Sequence, residues 1–81
     1  MNEDQFAAFL ACAVVPPIIQ LIRQKTGQNA LEAVEKFYHS ELYSLLEKED
    51  TKIWHYSALT LFNMYASEME TGKIAFPEEA A

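Results

Sequence analysis

The chain has 81 residues, a net charge of −6 and one cysteine. That leaves room for one domain and one core, and no internal disulfide. The sign of the charge argues against general binding to a phosphate backbone.

Residues 2–5, Asn-Glu-Asp-Gln, carry a helix start. Asn at the cap and Gln three residues on form a capping-box pattern, and the two acids suit the positive end of the helix dipole. Apolar residues follow at 6, 9, 10, 13, 14, 18, 21 and 22, a helical stripe that stays in phase across Pro16-Pro17. One reading is a single long helix over about 3–25, kinked near Cys12 to Val15 by the missing proline donors. The other is a break, with Pro16 or Pro17 opening a new helix. Ala7, Ala8, Ala11, Val15 and Ile19 lie off the stripe, so this helix is apolar on more than one face. That pattern fits burial on two sides, one of them against a second copy. The uncharged run Gln5 to Ile22 is broken by two prolines and a glutamine and follows acidic residues. Neither a signal peptide nor a membrane span is expected, and the chain reads as cytoplasmic.

Arg23 and Lys25 suit the C-terminal end of the dipole, and Gly27 suits the residue that stops the helix. Asn29 and Glu32 repeat the capping-box pattern for a second helix, whose apolar face reads as Leu31, Val34, Phe37 and Tyr38. His39-Ser40 is the next break, with Ser40 capping a third helix containing Leu42, Tyr43, Leu45 and Leu46. Residues 51–56 cluster Thr, Ile, Trp and Tyr, which predicts a short extended stretch. Ser57 caps a fourth helix with Ala58, Leu59, Phe62, Tyr65, Ala66 and Met69 on one face, and Gly72 ends it. The expected fold is all-α: a small bundle of about four helices forming one domain over 1–72, with a non-helical tail over 73–81.

Enzymatic patterns are missing. Cys12 sits among alanines and reads as a small buried hydrophobe. His39 and His55 show no metal-ligand spacing with it, so no metal is expected. Ser40 and Ser57 are explained as caps, and two isolated glycines cannot build a phosphate loop. No cofactor is expected.

The densest feature is 51–57, Thr-Lys-Ile-Trp-His-Tyr-Ser. If extended, it points Lys52, Trp54 and Tyr56 one way and Ile53, His55 and Ser57 the other. Trp54 and Tyr56 then either anchor a partner or plug the junction between the third and fourth helices. His55 reads as a pH-sensitive group or a junction histidine. In the tail, Phe76-Pro77-Glu78-Glu79 is either a linear docking segment or a strap that lays Ile74 and Phe76 on the helices. The acidic character belongs to residues 41–81, which hold eight acids against three lysines and flank the aromatic motif.

Two stretches, residues 40–47 with 51–57 and residues 70–80, resemble a family of short bacterial proteins with no established activity. The resemblance covers about residues 38–80 and implies no catalytic residue. The helix–Gly turn–helix–short helix–His stretch–helix layout also resembles a second group of small bacterial proteins. That group is thought to be encoded beside ADP-ribosyltransferase-like toxins, which implies an antitoxin or accessory role.

The sequence therefore points to a non-enzymatic protein-interaction module. Tentative partner-binding residues are Lys52, Trp54, His55, Tyr56 and Phe76. The partner is an unidentified protein, or a second copy through the first helix. A helix-turn-helix regulator is the alternative, but its helices offer only Lys36 and Asn63 for a groove, so nucleic acid is not expected.

Overall fold

Pro16 and Pro17 do not end the first helix. In the computed structural model, which describes residues 2–76, α1 runs without a break over Glu3–Thr26. It comprises α-helical Glu3–Phe9, a π-helical turn Leu10–Val14 and α-helical Val15–Thr26. The two prolines offer no N–H to the carbonyls of Cys12 and Ala13 and would crowd them in a regular helix. Widening the preceding turn relieves the crowding, and Val15 N–H bonds Leu10 O, five residues back. Cys12 and Ala13 are both exposed, where water can reach the freed carbonyls. The kink thus falls where proline sterics place it.

The remaining helices are α2 (Ala30–Tyr38), α3 (Glu41–Leu46) and α4 (Ala58–Thr71). Their ends follow local chemistry. The Asn2 side chain accepts from Gln5 N, and Gln5 reaches back to the Asn2 N–H. Asn29 accepts from Glu32 N, but the Glu32 carboxylate takes the Asn29 side-chain amide at 3.1 Å rather than its backbone. Ser40 and Ser57 accept from Tyr43 N and Thr60 N. Gly27 (φ +76°) and Gly72 (φ +80°) close α1 and α4 in the left-handed region that glycine tolerates best.

Among the described residues, sixteen buried apolar side chains form the core, seven of them from α1: Phe6, Leu10, Val14, Val15, Ile18, Ile19 and Ile22. The C-terminal half of α1 packs on α2 and α4, with Phe37, Leu42, Leu46, Leu61 and Met64 fully enclosed. Val15 and Ile19, off the sequence stripe, are core residues, because the π turn rotates the later half of the helix relative to the first.

Several expectations are corrected. Residues 51–56 are not extended: they form two 3₁₀ turns, Glu49–Thr51 and Ile53–His55, joined by Lys52 in the left-handed region at φ +56°. A strand needs a ladder partner, and none lies beside this segment among the described residues, so local turn bonds satisfy it instead. Thr51 Oγ1 donates to Leu45 O and Lys48 O and ties the first turn to α3. The inner face of α2 is set by Ala33 and Phe37, leaving Leu31 69% exposed. In α4, Leu61 and Met64 are enclosed, whereas Leu59 and Met69 face solvent. Cys12 is exposed, not buried.

Past Gly72, Ile74 packs back on the core and Phe76 is exposed. Pro77, Glu78 and Glu79 of the expected docking segment lie outside the described residues. The molecule measures 35 × 31 × 18 Å. Eighteen ångströms is about two helix diameters, the depth of two helix layers among the described residues.

Candidate functional site

The linker between α3 and α4 closes over the first half of α1. Trp54 is half-buried and meets Phe6 and Phe9 edge-on, with ring centroids 6.0 and 5.9 Å away. Its indole N–H donates to Glu49 O at 3.1 Å. The ring is therefore held on three sides by its own chain, with its one donor satisfied, as a half-buried Trp requires. This is the junction-plug arrangement. Ile53 beside it is buried, so the backbone turns two successive side chains inward where a strand would alternate them.

The other sequence-predicted residues scatter around that plug. Lys52 and His55 are exposed. The His55 ring lies on Tyr56, with centroids 4.8 Å apart, and its Nδ1 contacts Lys52 O. Tyr56 is half-buried. Phe76 comes after Gly72, beyond the other end of α4, a helix about 20 Å long. The linker thus gathers Lys52, Trp54, His55 and Tyr56 in one place, and Phe76 belongs to the tail.

Acidic side chains collect at the start of α1. Glu3, Glu47, Glu49 and Asp50 line a hollow of about 420 Å³ together with Phe6, Lys48 and Thr51. Among the described residues, no group of three or more His, Cys, Asp or Glu side chains is arranged to hold a metal ion.

A larger apolar surface lies on the outside of α1. Ala7, Ala8, Ala11, Cys12, Ala13, Pro16, Pro17 and Gln20 are all exposed, yet the helix carries no charge from Gln5 to Ile22. Pro16 and Gln20 form a ridge between two shallow grooves. One, of about 650 Å³, runs along Cys12, Pro17, Leu21, Gln24 and Ala58. The other, of about 370 Å³, runs along Ala11, Ile19, Arg23, Val34 and Tyr38. The solvent side of a surface helix normally carries charged and polar residues. By length and composition, α1 is also long and apolar enough to cross a membrane, but its other side forms the core. The uncharged eighteen-residue run is the sequence signal for this face, although Val15 and Ile19, read as part of it, point inward.

No family model, curated protein or solved structure matches the chain.

Proposed function

We propose that this chain is a non-enzymatic protein-interaction module that docks through the outer side of α1. One observation carries the reading: nine exposed positions along the helix fall in a segment with no charged residue. Leaving such a face in water forfeits the burial energy of its alanine, proline and leucine side chains, about 25 cal/mol per Å². The grooves beside Pro16 and Gln20 give that face relief into which another helix can pack. The aromatic linker serves this role indirectly. With Trp54 occupied in packing on Phe6 and Phe9, it fixes the first half of α1 and so the shape of the docking face. An antitoxin or accessory role would be one instance of such a module.

The test is site-specific photocrosslinking in growing cells, with benzoylphenylalanine placed at Gln20 or, as control, at exposed Glu70. A protein adduct from position 20 and none from position 70 is expected. Adducts from both, or from neither, would remove the reading.

A further inference from the structure

The charges at the two ends of α1 say what covers its outer face. Glu3 and Asp4 stand at its beginning, Arg23 and Lys25 at its end, and all four are exposed. Nothing charged lies between Gln5 and Ile22. A helix acidic at one end, basic at the other and apolar between is complementary to itself turned end for end. We infer that the occupant is a second copy of this chain, with the two α1 helices antiparallel across a two-fold axis and Asp4 of each copy beside Arg23 of the other. The inference rests on the docking face proposed above and names its partner.

The register follows from the numbering. With Asp4 opposite Arg23, Ala7 faces Gln20 and Ala11 faces Pro16. The axis passes between Ala13 and Val14, inside the end of the π turn. Ala7, Ala8 and Ala11 on one copy are small enough to let the Pro16–Gln20 ridge of the other approach closely. A two-fold contact of this kind is closed, since each patch meets its own duplicate and no filament can grow from it. A parallel pair would set Asp4 beside Asp4 and Arg23 beside Arg23 and would align the two helix dipoles unfavourably.

The helix face alone is about 36 Å long and about 10 Å wide. That is less than the ~800 Å² per partner of a standard interface, so the groove walls at Val34, Tyr38 and Ala58 must share the contact. A bilayer is the competing cover for an apolar helix. It is disfavoured because insertion would strip Phe6, Leu10, Ile18 and Ile22 from the core.

The experiment uses charge reversal on the whole chain. Sedimentation equilibrium should give a dimer for the native protein. Asp4→Arg and Arg23→Asp should each weaken it by about tenfold, because each reverses two exposed pairs per dimer. Mixing the two variants should restore dimer, since only the mixed pair sets opposite charges at both ends. Asp4 and Arg23 of one chain are about 28 Å apart along the helix, so recovery cannot come from within a copy. Circular dichroism of each variant verifies that it is folded. A native chain that stays monomeric to about 1 mM overturns the inference. So does a dimer indifferent to both reversals, and so does co-sedimentation with phosphatidylcholine vesicles in place of dimer. If the position-20 adduct has the mass of a different protein, the self-pairing fails while the docking face stands. If there is no adduct at all, both fail.

Discussion

The carboxylate of Glu68 accepts the backbone N–H of Leu42 at 3.0 Å, reaching from α4 to the first turn of α3 across 26 residues of sequence. Its second oxygen accepts Glu41 N at 2.8 Å. Ser40 Oγ takes Tyr43 N and Ser40 O takes Ser44 N, so the first turn of α3 has every N–H satisfied. A helix of six residues does not stand alone in water, and this clamp supplies what its length cannot. Glu68→Ala is expected to lower stability by about 2 kcal/mol, the cost of two charge-assisted bonds. Glu68→Gln, with one accepting oxygen, should lose about half of that. Urea denaturation measures both, and equal midpoints for Ala and native protein would dismiss the clamp.

Trp54→Phe keeps an aromatic plug but loses the bond to Glu49 O, and should cost about 1–2 kcal/mol. Trp54→Ala also removes both edge-on contacts and should cost about 3 kcal/mol. The native emission maximum should lie to the blue of free tryptophan and move red on unfolding. A maximum that is already red in the folded state would mean that the ring is not seated.

Ala13 is exposed and buries nothing, so its deletion would look harmless. It lies in the π turn, however, which holds one residue more than an α-helical turn, so its removal closes the turn and restores the crowding by Pro16 and Pro17. The deletion should lower stability by about 3 kcal/mol, the cost of proline in a regular helix interior, while Ala13→Ser should be nearly silent. Thermal scans of the two variants make the comparison. A deletion as stable as the parent would show that the π turn is not what accommodates the prolines.

Alkaline stability is set in part by two tyrosines. Burial raises the pKa of Tyr65 above its ordinary value of 10.0, helped by the negative charge of Glu68. Burial also raises that of Tyr43, helped by Tyr38 and Glu47. The folded form then holds its phenolic protons at pH values where the unfolded form has released them. Their contribution to stability is full below about pH 10 and is lost as pH rises from there through the folded values. Tyr65→Phe should flatten the fall in urea midpoint above pH 10. An unchanged slope would contradict the assignment.

Lys52 pays the strain of a left-handed backbone, φ +56°, with a side chain that gains nothing from it. Lys52→Gly should stabilise by up to about 1 kcal/mol, the relief exceeding the added freedom of the unfolded chain. Lys52→Val should destabilise by more than that. Denaturant midpoints decide the sign.

The legible parts of this fold were those written in adjacent residues. Asn2, Asn29, Ser40 and Ser57 start helices, and Gly27 and Gly72 stop them, because a cap answers only to groups two or three residues away. Helix phase was harder to read. The apolar face of α2 suggests Leu31 as core, yet Ala33 and Phe37 are enclosed and Leu31 is exposed. Leu59 and Met69 depart in the same way: neighbours choose the buried face of α4, not its own composition. The β-forming residues of 51–56 suggest an extended stretch, but their bulk serves packing on α1. The outer face of α1 was half visible. Its lack of charge was plain in the sequence, but which residues point outward depends on the extra residue in the π turn.

Seven of the sixteen enclosed side chains belong to α1, and most of what encloses them comes from later in the chain. During synthesis α1 leaves the ribosome before α2, α3 and α4 have emerged to cover it. For that interval both of its sides are bare, over a stretch with a mean hydropathy of 1.9. At about 5–20 residues per second, the wait for Leu61 to Tyr65 lasts a few seconds, far longer than a helix takes to form. A nascent chain in that state presents the kind of apolar surface on which holding factors act. Substitutions that slow the docking of α4 should raise its loss to aggregation more than its equilibrium stability would suggest.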